Sequence, residues 1–323
     1  MARYFVAGGA GFIGSHLVQQ LLEEQDVTVT IFDNFSSGRE WHLGSAYNNP
    51  RVRVVRGDIK DLPSLTGAMQ SQDHVYHLAS NPDIARAATQ PDIDFWEGTY
   101  LTQNVLEAMR QNGVRRLTYA SGSGIYGDSG DKPVSEDYAP LLPISTYGAS
   151  KLACEALISA YCHMFGLNAL LFRLANVVGA HQTHGVAYDF VRRLLRDPSH
   201  LSILGDGYQS KSYIYVDDVI GAMRYIGNEE WQGFDYFNVA TEDYVTVREI
   251  ADMVVDRLGL SNVAYSFTGG KRGWKGDVPI VRFDTEKIRA HGWRHKRTSV
   301  EALRDSIDSM VADAQEGKFD SGN

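Results

Sequence analysis

Short apolar, β-branched runs alternate with longer segments through the first half of the chain: RYFVA, VTVTIF, RVRVVRG, HVYHLA, RRLTYAS and LNALLFRLANV. Each is followed by enough residues for a helix, so the pattern predicts a parallel sheet covered on both faces. The segment FIGSHLVQQLLEEQ sets Ile13, Leu17 and Leu21, with Val18 and Leu22, along one stripe at helical spacing. STYGASKLACEALISAYCHMFG predicts a second helix, with Ser145 or Thr146 as cap, an apolar stripe through Leu152, Ala156, Ala160 and Met164, and Gly166 as the stop.

After about residue 177 the rhythm loosens. Helical VAYDFVRRLLRD, the turn GDGYQ, strand-like KSYIYV and the segment DDVIGAMRYIGN precede a further strand, YFNVA. TVREIADMVVDRLGL predicts a helix with a capping box from Thr246 to Glu249. The expected class is α/β: a Rossmann-type doubly wound parallel sheet with a smaller, interleaved C-terminal lobe. Residues 1–176 are expected to form the dinucleotide-binding domain, with returns at about 214–260, and 177–323 the substrate lobe, mainly about 177–213 and 261–323. The tail ADAQEGKFDSGN reads as frayed.

Composition narrows the function classes. At 323 residues, 43% hydrophobic and 22% charged, the chain can bury a substantial core. A net charge of −9 without a basic run argues against nucleic acid as a partner. No apolar stretch approaches the roughly 20 residues that span a bilayer, and no secretory leader is expected at the N-terminus. Cys154 and Cys162, on one helix, would lie about 12 Å apart, too far for a bridge. Free thiols fit a cytoplasmic protein.

The run VAGGAGFIGSH joins the first strand to the first helix. Gly8, Gly11 and Gly14 satisfy one glycine spacing, and Gly9, Gly11 and Gly14 another. Either lets backbone approach a pyrophosphate at a helix start. Asp33, ending the second strand, would bond ribose hydroxyls and repel a 2′-phosphate, which selects NAD over NADP. Arg39 reads as a solvated loop cation. Asp58 is open between bonding the adenine amino group and capping the next helix.

Tyr147 and Lys151 stand at i and i+4, so both project from one helix face. A phenol ordinarily ionises near pH 10, and an adjacent ammonium and an oxidised nicotinamide both favour its phenolate. In this context Tyr147 is expected to be a base.

The glycine loop, DNFSSGR, HLAS, NVLEA, YGASK, RLANVVG, GDGYQSKSYIYVDD and GDVP occur in the order of the extended short-chain dehydrogenase/reductases. The chain resembles that family's NAD-dependent nucleotide-sugar epimerases and dehydratases, of the UDP-galactose 4-epimerase type, over nearly its whole length. The resemblance implies that Tyr147 removes the sugar 4-OH proton while Lys151 bonds the nicotinamide ribose. It implies further cofactor contacts from Phe12, Ile13, Asn34, Ser37, Gly38, Ile59, Leu78 and Ala79. Asn176, Lys211, Arg272 and Asp277 are the implied contacts of the nucleotide diphosphate and its ribose, and Asn81 and Arg86 those of the sugar. Trp274 stands where the family commonly has arginine, and Arg272 is expected to substitute from a shifted register. The resemblance also implies a homodimer built on the helix around 94–112 and the Tyr147 helix.

Two departures concern the catalytic region. Gly122 occupies the place of the family's serine or threonine, which relays a proton between tyrosine and O4. Ser121 and Ser123 flank it. Strand alternation would turn both away, unless Gly122 and Gly124 end the strand irregularly and bring Ser123 or a water into the relay. Gly98 stands in place of an asparagine that supports the active-site loop.

The family's 4,6-dehydratases place an Asp-Glu pair where this chain has Ser123 and Gly124, so dehydration is disfavoured. The loop AHQTHG offers no arginine for a sugar carboxylate, so a neutral sugar is expected. His181 and His184 lack a third ligand, and no metal site is expected. The expected function is NAD-dependent 4-epimerisation of a nucleotide-linked neutral sugar, UDP-glucose/UDP-galactose or N-acetylated hexose. Val281 would leave room for an acetyl group, or is merely a packed strand residue. The alternatives are an oxidoreductase or dehydratase acting on a rarer sugar such as a heptose, and a non-catalytic NAD-binding sensor.

Overall fold

The computed structural model describes residues 1–81, 83–229 and 231–319. Strands Ala2–Ala7 (β1), Val27–Asp33 (β2), Val52–Arg56 (β3), His74–His77 (β4), Arg116–Gly122 (β5), Asn168–Leu174 (β6) and Phe234–Val239 (β7) form one parallel sheet. Its order is β3-β2-β1-β4-β5-β6-β7, so the direction of winding reverses between β1 and β4. In doubly wound sheets the crevice beyond the carboxyl ends of such strands is where ligands bind. The central strands are nearly continuous in buried residues, Phe5, Val6, Ile31, Phe32, Val75 and Phe172 being fully covered, because helices lie on both faces.

The chain divides into two compact units. The first comprises Met1–Ile125, Thr146–Arg173 and Ile220–Phe237, and the second comprises Tyr126–Ser145, Leu174–Val219 and the chain from Asn238 onward. Residues 126–145 and 238–260, expected with the dinucleotide half, thus fall in the second unit. There Asn238 donates to the carbonyls of Val134 and Asp284 and its N–H to Glu136. Those bonds reach across more than one hundred and about fifty residues, which local pattern does not reveal.

In the first unit, helices Phe12–Leu21 (α1), Leu62–Ala68 (α2), Tyr100–Asn112 (α3) and Thr146–Phe165 (α4) flank the sheet. The stripe expected to bury α4 lies on its open side. Ala156, Ala160 and Met164 are exposed, Met164 at 72%, whereas Lys151, Cys154, Glu155, Ile158 and Cys162 are buried. The helix is apolar on two sides, and the buried one carries charges that find partners inside. Both cysteines are free.

The second unit has three short strand pairs: Asn176–Val178 with Tyr213–Tyr215, Ser210–Lys211 with Val245–Thr246, and His200–Ile203 with Ala264–Phe267. The strand expected over KSYIYV is therefore broken at Ser212. Helix Val247–Arg257 starts on the expected capping box of Thr246 and Glu249. Helix Ser299–Gln315 continues into the tail expected to fray, and Tyr188 donates to the carbonyl of Phe319 at 3.1 Å. Residues 320–323 lie outside the described residues. No helix among the described residues is long and apolar enough to cross a membrane.

Candidate active site

The phosphate loop is built on close backbone contacts. Gly8 has φ +82°, and a Cβ there would lie 2.7 Å from the Ala79 nitrogen. One on Gly14 would lie 2.1 Å from the Gly8 oxygen and one on Gly9 would lie 2.9 Å from the Ile31 side chain, so the turn excludes side chains at all three positions. Gly11 caps α1 with no side-chain partner for the first helical N–H groups. These amides and the dipole behind them suit an anion. Phe12, Ile13 and Gly14 follow in the first turn.

Asp33 ends β2, 7% exposed, and its carboxylate accepts from the N–H groups of Ala10 (2.9 Å) and Phe35 (2.8 Å). Burial raises its pKa, and the two N–H bonds and the charge of Arg56 oppose that shift. The loop carrying Asn34, Ser37 and Gly38 folds over the glycine turn. A Cβ on Gly38 would meet Ala10 at 2.8 Å, while the Ala10 carbonyl accepts from the Arg39 N–H and meets the His42 ring. Burial pushes His42 down to about 4, which keeps that clamp neutral. The Arg39 guanidinium donates to the carbonyl of Gly38.

Beyond β3, the Asp58 carboxylate accepts from the Lys60 N–H, and Asp61, not Asp58, caps α2 through Ser64. The capping alternative for Asp58 is thereby overturned. Ile59 is buried, its carbonyl held by Asn104. Leu78 and Ala79 leave β4 on N–H bonds to the carbonyl of Ala7, beside Gly8.

The tyrosine and lysine sit at the carboxyl end of β5. Lys151, 5% exposed, donates to the carbonyl of Ala120 at 2.8 Å. Its ammonium lies 4.9 Å from the Tyr119 ring centre and 5.7 Å from that of Tyr147. Tyr147 is half-buried, and among the described residues nothing bonds its hydroxyl. β5 ends at Gly122, and Ser123–Tyr126 turn as a 3-10 helix, so Ser123 escapes strand alternation. The turn packs closely: a Cβ on Gly124 would lie 3.2 Å from the Gly148 Cα. Ser121 is a different case. It is 4% exposed and donates to Glu155 at 2.5 Å, which removes its hydroxyl from any relay.

Asn81 is 5% exposed with its amide committed to Asp83 and Asp94, so it frames the site and is not free to hold a sugar. Arg86 is exposed. In the second unit, Lys211 pairs with Asp277 at 2.7 Å, the Gly273 N–H donates to the same carboxylate, and Arg272 donates to the Asp277 carbonyl and to Asp128. These three candidates are brought together, Arg272 reaching Asp277 from two positions before Trp274. Asn176 is half-buried on its strand. Val281 is half-buried, its N–H directed to Ser210. Among the described residues no group of three or more His, Cys, Asp or Glu could hold a metal.

The pattern of the "NAD dependent epimerase/dehydratase family" matches residues 4–240. The chain belongs to this family. UDP-glucose 4-epimerase of Mycolicibacterium smegmatis is 34% identical over 95% of this chain and 97% of its own length. A crystal structure of a UDP-galactose 4-epimerase superposes with a TM-score of 0.86 at 37% identity, covering 96% of this chain and 99% of that one. The UDP-glucose 4-epimerase of Thermus thermophilus, in complex with NAD, gives 0.83 at 32% identity over 95% and 98%. Relatives named dTDP-glucose 4,6-dehydratase and UDP-glucuronic acid decarboxylase match at 28–30% identity. The protein is thus an NAD-dependent nucleotide-sugar epimerase/dehydratase. The loop fits the cofactor, since no side chain caps the first N–H groups of α1 and the tight turn that presents them has no room for side chains at Gly8 or Gly14.

Proposed function

We propose that the protein is a 4-epimerase of a nucleotide-linked neutral sugar, of the UDP-glucose/UDP-galactose or N-acetylated hexose type. The observation that carries this is the Tyr147–Lys151 pair at the end of β5, followed there by Ser123 and Gly124 with no acid-base pair for dehydration. Tyr147 takes the proton from the sugar 4-OH and returns it to the 4-keto sugar on the opposite course. Lys151 supplies the charge that favours the phenolate and bonds the nicotinamide ribose. Bound NAD supplies the acceptor and then the donor of the C4 hydride. Gly8, Gly11 and Gly14 hold the pyrophosphate and Asp33 the adenosine ribose, while Asp58, whose side chain is 43% exposed, meets the adenine. In the second unit Lys211, Arg272 and Asn176 meet the diphosphate and Asp277 the nucleotide ribose. Lys211 does so as a point charge, without the fork of an arginine.

Purified protein is incubated with UDP-glucose, UDP-GlcNAc and dTDP-, GDP-, CDP- and ADP-sugars, and C4 inversion is followed by NMR. Inversion without net NADH is expected. Accumulating NADH would mark an oxidoreductase, loss of water a dehydratase, and inertness toward all sugars a sensor.

Ser123 is the proposed replacement for the hydroxyl missing at Gly122, because the 3-10 turn frees it from strand alternation. A general acid–base partner is worth about 10²- to 10⁴-fold. Ser123→Ala is expected to lower turnover toward the lower end of that range, and Gly122→Ser to raise it. An unchanged rate in both variants would leave no serine relay.

The exposed Phe95 (49%) and Trp96 (44%), and the uncovered side of α4 with Ala156, Ala160 and Met164, support a homodimer through this helix pair. Sedimentation at micromolar concentration tests it. Free, buried Cys154 and Cys162 support residence in the cytoplasm.

A further inference from the structure

We propose that Asp94 is the positioning residue of the catalytic helix, acting through Thr146 and Ser150 on the Tyr147–Lys151 pair. The inference rests on the reading of that pair as the reacting one. Asp94 is 2% exposed, and no lysine or arginine pairs with it among the described residues. Its carboxylate accepts from the Asn81 amide at 2.8 Å and from the Thr146 hydroxyl at 2.7 Å, and its main-chain carbonyl accepts from Ser150 at 2.6 Å. A buried carboxylate is costly unless such donors satisfy it. Its position at the start of α4, where the helix dipole is positive, also favours the charge.

Thr146 and Ser150 each directly precede a member of the pair. One residue therefore ties down both positions, one helical turn apart, on which the geometry of Tyr147 and Lys151 depends. The other end of the tether is the loop after β4, through Asn81. The connecting element is a single π-helical turn, Phe95–Thr99, a distortion found often at functional sites.

This network also accounts for Gly98. A Cβ there would lie 2.4 Å from the Ser150 oxygen, which instead bonds Thr99 at 2.9 Å. Ser150 fills the space that a side chain at 98 would need, and Asp94 provides the support.

The test compares Thr146→Val, which removes the donor but keeps the shape, with Thr146→Ser, which keeps the donor, and adds Asp94→Asn and Tyr147→Phe. Thr146→Val is expected to lower kcat about tenfold or more, as fits losing a bond to a buried charge. The KM for the nucleotide sugar and the bound NAD should stay as in the parent. Thr146→Ser should retain most of the rate, and Asp94→Asn should lose about 10²-fold, the cost of an ångström-scale misplacement. Parent kcat in Thr146→Val, or an equal loss in Thr146→Ser, overturns the role of Asp94 while leaving the pair intact. If Asp94→Asn does not fold, the two Thr146 variants decide alone. A fully active Tyr147→Phe, or a parent inert toward every nucleotide sugar, removes the reading of the pair and this inference with it.

Discussion

Tyr147→Phe is expected to slow 4-epimerisation by about 10²- to 10⁴-fold, or about 2.7–5.4 kcal/mol of barrier. The change removes one oxygen and leaves the ring, so packing against Gly124 and the ammonium of Lys151 is kept. No hydrogen bond among the described residues is lost with that oxygen, and stability should be unaffected. The cofactor cradle of Gly8, Gly14 and Asp33 is formed by other elements, so bound NAD, released by denaturation and quantified, should match the parent. Rate loss with full cofactor occupancy and an unchanged melting curve is the result specific to a missing proton acceptor. Conversion at the parent rate would transfer the base to another group, for which half-buried Ser123, in the turn after β5, is the candidate.

The parts of this site that are close in sequence were legible in it. Gly8, Gly11 and Gly14 fall within one turn and helix start, and Tyr147 and Lys151 within one helical turn, so spacing alone puts them together. The sheet strands were legible because each is a short apolar run. What was hidden depends on distant partners. Asp94 meets Thr146 and Ser150 across 52 and 56 positions, and Ser121 meets Glu155 across 34. Nothing in the local pattern separates Ser121 from Ser123, yet one is committed to a buried carboxylate and the other is not. The buried face of α4 was misjudged for a related reason. Apolar periodicity selected Ala156, Ala160 and Met164, whereas the interior side carries Lys151 and Glu155, charges that are acceptable there because Ala120 receives the one and Ser121 and Arg173 the other.

Glu155→Ala is expected to destabilise the fold by about 3–5 kcal/mol, the cost of stripping one partner from a buried ion pair. Side chains of Glu155 and Arg173 are 6% and 4% exposed, and Arg173 reaches both carboxylate oxygens from Nε and the far oxygen at 2.8 Å from Nη2. The guanidinium lies 4.2 Å from the Tyr236 ring centre, a contact that does not replace a carboxylate. Ser121 loses its acceptor in the same variant, on the strand whose neighbouring carbonyl, that of Ala120, holds Lys151. Turnover should therefore fall together with stability, unlike in Tyr147→Phe. Breaking the exposed pair Arg3–Asp73, at 46% and 45% exposure, should shift the midpoint far less, because solvent already screens both charges. Urea denaturation of the two variants checks the contrast. Replacing both members of the buried pair with apolar residues should recover most of the stability, since the penalty comes from keeping a buried charge after its carboxylate is removed and not from loss of the attraction. Equal midpoints for Glu155→Ala and the parent would mean that water reaches Arg173, and that the inner side of α4 is not held by this pair.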